Sequence, residues 1–129
     1  MLSHLFDTFC NILEGAIATP DDQDVYKRQG HKLAEGFRTA ADAAGVDVVI
    51  NRIGSMLTVF LTSQDVTDLD SATTSDTARF ARYFHGMLNR GVYLPCSQYE
   101  AMFVSAVHTD DDLDQTIAAA AASFAGCND

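Results

Sequence analysis

Glu100 is the residue whose type and position best suit chemistry in this chain. It follows the aromatic Tyr99, precedes the small Ala101 and opens onto the apolar run Met102–Val107. Partial burial there would favour the neutral carboxyl group and suit it to general acid–base work. A solvated glutamate at the end of a loop is the alternative, and for this residue type alone it is the more common situation.

Other residues that often carry chemistry show no informative spacing. The histidines and cysteines are His4, His31, His85, His108, Cys10, Cys96 and Cys127. None are spaced like zinc ligands, so we expect His85 and His108 to be structural. The acids Asp110–Asp112 resemble a metal cluster, but they are more typical of the first turn of a helix. The sequence contains no phosphate-binding glycine loop, nucleophile elbow or dinucleotide fingerprint, and no triad spacing.

The composition predicts one acidic domain. The chain has 129 residues, 47% of them hydrophobic, and 18 acids against 8 bases give a formal net charge of −10. An acidic surface argues against nucleic acid and anionic membranes as partners, because both attract clustered lysine and arginine. Three cysteines without C-x-x-C spacing indicate a reducing compartment, so we expect a cytoplasmic protein. No apolar run is long enough to span a membrane, and Asp7 interrupts what would be a signal peptide.

The first half of the domain predicts a helix followed by a hairpin. A helix opening near His31 and ending at Gly45 has one apolar face, formed by Leu33, Phe37, Ala40, Ala41 and Ala44. The β-branched run Val46–Ile53 and the run Met56–Thr62 predict two strands. Gly54-Ser55 between them suits a type II′ turn, so the two strands should pair antiparallel.

The second half predicts helix, strand, loop, strand and helix. After a polar surface loop at 63–74, Ser75 can cap a helix that Gly91 ends, with an apolar face of Phe80, Phe84, Met87 and Leu88. Val92–Leu94 and Met102–Val107 predict strands on either side of the Glu100 loop. Thr109 predicts the cap of a last helix that ends at Gly126, with a buried face of Leu113, Ile117, Ala120, Ala121 and Phe124.

The predicted order is therefore α-β-β-α-β-β-α. Short connections and hairpins favour a small, mostly antiparallel sheet with helices packed on one face, which is an α+β domain. We assign this domain to residues 30–129 and treat residues 1–29 as a leader. Within the leader, Asp24–Gln29 (DVYKRQ) is similar to the translation of a sequencing-library adaptor, which indicates that the leader is foreign; an ordinary charged linker is the alternative.

The region around Glu100 also resembles a known family. Residues 79–109 read RFARYFHGMLNRGVYLPCSQYEAMFVSAVHT, and residues 51–58 read NRIGSMLT. Both stretches resemble the carboxy-terminal part of the glutamate-1-semialdehyde 2,1-aminomutase family, pyridoxal-phosphate enzymes of the class III aminotransferases. The resemblance covers roughly residues 31–125 without gaps, which makes it far more specific than a single short motif.

The resemblance implies a reaction and a role for Glu100. In the family, glutamate-1-semialdehyde becomes 5-aminolevulinate, an early step of tetrapyrrole synthesis, with pyridoxal 5′-phosphate as cofactor. The glutamate that matches Glu100 is an active-site residue near the cofactor, where its charge disfavours a second substrate carboxylate. The family's Schiff-base lysine, its carboxylate for the pyridinium nitrogen and its phosphate cradle lie in a large domain. Partners implied for this chain are that large domain and a second subunit of a homodimer.

The same resemblance predicts that the chain alone is inactive. Its only lysines are Lys27, in the adaptor-like tract, and Lys32, at the start of a surface helix. Neither has the context of the family's catalytic lysine, so we expect this chain to bind no cofactor. The element order alone also allows a stand-alone ligand-binding or regulatory α+β module, or a structural fragment without independent activity.

Overall fold

In the computed structural model the described residues are 25–105 and 107–128, so the leader up to residue 24 lies outside them. The helices are α1 (Val25–Ala44), α2 (Leu69–Ala72), α3 (Thr77–Asn89) and α4 (Asp110–Ala125), and a 3₁₀ turn at Gly126–Asn128 follows α4. The strands are β1 (Val49–Ile53), β2 (Met56–Phe60) and β3 (Met102–Phe103). This is the predicted α+β class, built around an antiparallel sheet of order β1-β2-β3.

Helix α1 begins earlier than predicted. It starts at Val25 rather than near His31, so the boundary assigned between residues 29 and 30 falls inside the helix. Residues 25–30 contain good helix formers and no proline. Gly30 lies where the helix passes so close to the hairpin that a larger side chain would not fit. A Cβ at Gly30 would lie 2.4 Å from the carbonyl oxygen of Gly54. Whether residues 1–29 are foreign stays a prediction.

The hairpin forms as predicted, with both strands shorter. Ile53 pairs with Met56 across Gly54-Ser55, and Gly54 has a φ of +57°, as the first position of a type II′ turn requires. Strand β1 starts at Val49 rather than Val46, because the N–H of Val46 donates to the carbonyl of Ala41 at 2.9 Å. That bond, with Gly45 at a φ of +69°, caps helix α1 in a Schellman motif.

The predicted strand at Val92–Leu94 is wrong. The N–H of Val92 donates to Met87 at 3.0 Å and Gly91 has a φ of +84°, so this residue completes the cap of α3 rather than a ladder. Pro95, which follows, has no N–H to offer a partner strand. Of the four predicted strands, three form within the described residues, and Val92–Leu94 lies outside the sheet.

The strand predicted at Met102–Val107 is shorter than expected. It pairs with β2 only at Met102–Phe103, and the N–H of Val104 then donates to Ser55 at 2.9 Å. Beyond this point the N–H of Ser105 donates to Nδ1 of His108 at 3.0 Å, which turns the chain toward α4. The local side-chain bond competes with the ladder and ends the strand.

Two predictions between β2 and α3 are also corrected. The expected surface loop at 63–74 contains α2, and Val66 and Ala72 within it are buried. The cap of α3 is Asp76, whose carboxylate accepts from the N–H of Arg79 at 3.0 Å, and not Ser75, which is buried. A carboxylate suits the positive end of a helix better than a hydroxyl does.

The main core lies between one face of the sheet and helices α1, α3 and α4. Leu57 and Val59 of β2 face this core, and Phe60, on the other face, packs with Val66 and Ala72 under α2. The long helices thus share one face as predicted, while the short α2 covers part of the other. None of the described helices is long and apolar enough to cross a bilayer.

The helix faces are mostly those predicted, with one important addition. Leu33 and Phe37 of α1 are buried, as are Leu113 and Phe124 of α4. In α3, however, the centre of the buried face is Tyr83 with Met87, while the predicted Leu88 is 41% exposed. The sequence stripe missed Tyr83 because its phenol carries a polar end that is seldom fully buried.

Candidate functional site at the Glu100 turn

Glu100 lies in a tight turn that its own carboxylate helps to close. The N–H of Glu100 donates to the carbonyl of Ser97 at 3.2 Å, and the N–H of Ser97 donates back to Oε2 of Glu100 at 3.1 Å. The N–H of Tyr99 donates to Oγ of Ser97 at 3.2 Å, and the thiol of Cys96 lies 3.9 Å from the same Oε2. The side chain of Glu100 is therefore held by the main-chain N–H of Ser97.

Of the two situations considered for Glu100, partial burial and solvation at the end of a loop, the structure shows the second, because Glu100 is exposed in this chain. The residues on either side of Glu100 do enter packed surroundings: Tyr99 contacts the cluster around Phe60, and Met102 contacts the main core. The turn thus projects the carboxylate outward while its neighbours anchor the turn. Glu100 can act here as a fixed negative charge.

A narrow crevice lies beside this turn. Its volume is about 10 Å³, and its walls are Val59, Phe80, Tyr83, Leu94, Pro95, Ser97, Gln98, Glu100 and Met102. Most of the lining is apolar, but Gln98 and Tyr83 are buried polar residues, at 4% and 0% exposed. Sequence reasoning did not select these two residues. The one feature of the sequence that could have pointed to this crevice is the amide side chain of Gln98, which lies in the same loop as Glu100.

Tyr83 is fixed firmly at the inner side of the crevice. Its ring stacks on Phe124 with centroids 4.5 Å apart and planes 8° from parallel. Burial raises the pKa of Tyr83, so the phenol stays neutral and offers both a donor and an acceptor. No described residue pairs with its hydroxyl, nor with either atom of the Gln98 amide.

The remaining candidate residues do not join this site. His85 is exposed and contacts the ring of Phe84 edge-on, and His108 serves the turn before α4. The acids Asp110–Asp112 form the first turn of α4, as predicted, where Thr109 and Asp112 make a reciprocal capping box. Over residues 25–105 and 107–128, no group of three or more potential metal ligands is found.

The lysines of the described chain do not fit a Schiff-base site. The Nζ of Lys32 lies 2.9 Å from Asp114 and 3.3 Å from Asp110, in an exposed ion pair that ties α1 to α4. The hydrogen bond to Asp114 raises the pKa of Lys32, whereas a reactive lysine needs its neutral amine. Lys27 lies on α1 with its Cγ 3.9 Å from the position a Cβ on Gly54 would take. The surroundings of Lys32 are therefore those of a surface lysine held in an ion pair.

A wider open groove of about 550 Å³ runs along β1, away from Glu100. Arg38 crosses it and donates from Nη2 to the carbonyl of Ile50 at 3.0 Å, and Asn51 donates to the carbonyl of Val66 at 2.8 Å. Arg38 is also paired with Glu35, so the groove presents charges of both signs. The bond from Arg38 occupies one main-chain carbonyl of β1, and the bond from Asn51 ties β1 to the following loop.

Comparison with solved structures places the fold. The chain superimposes on an omega-transaminase from Sphaerobacter thermophilus with a TM-score of 0.71 at 18% identity, covering 86% of this chain and 25% of that one. A transaminase with PLP bound gives a TM-score of 0.63 at 22% identity, covering 85% of this chain and 24% of that one. The fold is thus that of one part of a transaminase.

Comparison with curated sequences assigns the chain to one family, although no family model matches it. Glutamate-1-semialdehyde 2,1-aminomutase of Heliobacterium modesticaldum is 53% identical over 110 residues, which are 85% of this chain and 24% of that protein. The aminomutase of Anaeromyxobacter dehalogenans is 54% identical over 93 residues, 72% of this chain and 22% of that protein. The chain belongs to the glutamate-1-semialdehyde 2,1-aminomutase family and matches its carboxy-terminal part. It spans about a quarter of the length of these relatives.

Proposed function

We propose that this chain is the small carboxy-terminal domain of a cytoplasmic, pyridoxal-phosphate-dependent glutamate-1-semialdehyde 2,1-aminomutase. The complete enzyme would move an amino group between adjacent carbons and produce 5-aminolevulinate for tetrapyrrole synthesis. The observation that carries this proposal is the identity of about one residue in two to aminomutases across most of the chain. At that level of identity over a fold of this size, both the fold and its site residues are expected to correspond.

Within that enzyme we assign Glu100 to substrate selection. Its carboxylate projects from a turn that main-chain hydrogen bonds hold in place, so its position is fixed while its charge remains exposed. A fixed negative charge at the edge of an active site disfavours a substrate with a second carboxylate and tolerates the uncharged aldehyde of the semialdehyde. Glu100 would then act on specificity more than on the chemical step.

We further propose that the chain is inactive alone and needs the large domain and the second subunit of a homodimer. The support is the state of Lys32, which is paired with two aspartates on an exposed helix face and has a raised pKa. Pyridoxal phosphate would supply the electron sink of the reaction when held by the complete enzyme. The part of this chain nearest that chemistry would be the Glu100 turn.

The proposal is tested with a chimera. The matching carboxy-terminal quarter of the Heliobacterium modesticaldum aminomutase is replaced by residues 30–129 of this chain, and conversion of the semialdehyde to 5-aminolevulinate is measured. We expect turnover from the chimera and none from the 129-residue chain alone. A folded, dimeric chimera that binds pyridoxal phosphate and has no turnover would refute the assignment.

The role of Glu100 is tested in the same chimera. Glu100→Gln should lower the preference for the semialdehyde over glutamate, its dicarboxylate analogue, by about tenfold, the effect of roughly 1.4 kcal/mol in binding. Asp47→Asn removes the same charge from an exposed position outside the crevice and is the matched control. Equal discrimination by Glu100→Gln, Asp47→Asn and the unaltered chimera would show that Glu100 does not select the substrate.

The inactivity of the chain alone has its own test. Mixing the purified 129-residue chain with pyridoxal phosphate should give only weak, non-saturating absorbance from surface lysines. A stoichiometric Schiff-base band that survives dialysis and disappears in Lys32→Ala would contradict the proposal. Such a band without aminomutase turnover would instead favour a stand-alone ligand-binding module.

The foreign origin of the leader is also a proposal. If residues 1–29 were joined to the domain by accident, nothing selected the first 24 of them to stabilise it. Deleting residues 1–24 should then leave the melting temperature unchanged, and hydrogen exchange in this stretch should be much faster than in α3. A clear drop in melting temperature on deletion would assign the leader to the domain.

A further inference from the structure

The crevice beside the Glu100 turn contains polar groups that the protein itself does not satisfy. Tyr83 is 0% exposed and Gln98 is 4% exposed, and both line this one crevice. The hydroxyl of Tyr83 and both amide atoms of Gln98 have no hydrogen-bond partner among the described residues. Buried polar groups in folded proteins almost always have partners, so unpaired polar atoms on two residues that line the same small space indicate that a partner binds in that space.

The hydrogen bonds of the turn join its own residues and do not include the Gln98 amide. The main-chain N–H of Ser97 and that of Glu100 are both committed within the turn, and the N–H of Tyr99 is bonded to Oγ of Ser97. Oε2 of Glu100 is occupied by the N–H of Ser97. Gln98 is buried beside this turn, and its amide has no partner among the described residues.

The size and chemistry of the space select the partner. Its volume of about 10 Å³ is that of a single water-sized sphere, too small for an organic ligand. A water molecule donates two hydrogen bonds and accepts two, which matches a hydroxyl and an amide that each donate and accept. The raised pKa of Tyr83 keeps its hydroxyl neutral, so no ion is required to balance a charge.

We propose that this crevice binds one ordered water molecule, held by the Gln98 amide and the Tyr83 hydroxyl, which ties the Glu100 turn to helix α3. The stacking of Tyr83 on Phe124 fixes the inner anchor of the water. Gln98, two residues before Glu100, is the outer anchor. The water thus connects the turn that carries the candidate carboxylate to the helical core, whether or not the aminomutase proposal holds.

The water is detected directly by NMR of the 129-residue chain. Gln98 is the reporter, because its side-chain amide protons should show a cross-peak to water with the sign of a long-lived bound molecule. In Tyr83→Phe this cross-peak should weaken or vanish, whereas Tyr93→Phe, at a residue 77% exposed, is the matched control and should leave it unchanged. Absence of the cross-peak in the unaltered chain would overturn the proposal.

The melting temperature supplies an independent test, because it should change in opposite directions for a crevice that holds a water and for a dry one. Gln98→Met keeps the shape and removes both polar atoms, so it should lower the melting temperature if a water is bound and raise it if the amide is truly unpaired. Gln64→Met, at an exposed position, is the control. The double variant Gln98→Met with Tyr83→Phe should lower the melting temperature little more than the larger single change. A rise in melting temperature for Gln98→Met, or strictly additive losses, would refute the shared water.

Discussion

The helical layer and the Glu100 turn are built on different principles. In the helical layer, apolar residues such as Phe37 and Phe124 are completely buried, and backbone hydrogen bonds follow from the helices themselves. Around the Glu100 turn, Tyr93 and Phe103 are 77% and 67% exposed, and strand β3 has two residues. The turn is held by main-chain N–H groups that donate to the carbonyl of Ser97 and to the side chains of Ser97 and Glu100. Stability is thus concentrated in one region and the candidate site in the other, as is common for loops that carry function.

The largest expected difference between the two regions is in the loss of stability when a phenylalanine in each is replaced by alanine. Phe124→Ala should lower the free energy of unfolding by about 3–5 kcal/mol, because it opens a cavity and removes the stack on Tyr83. Phe103→Ala makes the same chemical change at an exposed position and should stay within about 0.5 kcal/mol. Urea unfolding measures both. Comparable losses would show that the Glu100 region is as tightly packed as the helices.

A smaller effect tests whether the start of α1 belongs to the packed layer. Gly30→Ala should lower the free energy of unfolding by about 1–3 kcal/mol, since the new Cβ would lie 2.4 Å from the carbonyl oxygen of Gly54. Gly126→Ala, where a Cβ meets nothing within 4 Å, is the control and should cause no loss. A neutral Gly30→Ala would place the first turns of α1 away from the hairpin.

The N-terminal cap of α4 should contribute less to the free energy of unfolding than the close packing at Gly30 does. Thr109→Ala removes the hydroxyl that accepts from the N–H of Asp112 at 3.1 Å and should cost about 1 kcal/mol. Thr109→Ser keeps the hydroxyl and serves as the control. If both variants lose the same amount in thermal unfolding, the methyl group and not the cap is responsible.

The smallest expected effect depends on pH. The N–H of Thr109, donating to Oδ2 of Asp112 at 2.7 Å, lowers the pKa of Asp112 below its ordinary 3.8. A lowered folded-state pKa stabilises the protein above the unfolded value, and this stability is lost as the pH falls through the folded value. Asp112→Asn should therefore lower the melting temperature at neutral pH, and the difference should shrink as the pH falls below the ordinary carboxyl value of 3.8. A pH-independent difference would contradict this role.

Sequence periodicity predicted the structure correctly in regions where buried residues recur at a regular spacing along the chain. The stripe Leu33–Phe37–Ala40–Ala41 and the spacing of the hairpin around Gly54-Ser55 predicted the helix face, the turn and the strand pairing, which the structure confirms. Gly45 and Gly91 predicted helix ends for the same reason, because a left-handed residue has few alternatives to glycine. These signals are local, so a single sequence contains them.

The Glu100 region was harder to predict because individual hydrogen bonds, not periodicity, decide its structure. Val92 reads as a strand residue, yet its N–H completes the cap of α3. The loop that carries Glu100 was predicted from the residues, whereas the exposure of Glu100 was one of two alternatives that the sequence left open. Gln98 and Tyr83 meet only after the fold forms, and no spacing relates them.

The packing of α1 on α4 has a consequence for synthesis on the ribosome. Gly36 lies against Ile117, and the amide of Asn128 donates to the carbonyl of Ala44 across 84 positions of sequence. Because α4 follows α1 in the sequence, the apolar face of α1 lacks this partner until α4 has been synthesised. Closing so long a segment slows folding, and the uncovered face is exposed to chaperones and to neighbouring nascent chains during that interval. The order of elements along the chain therefore makes the packing of α4 on α1 the step that ends this exposure.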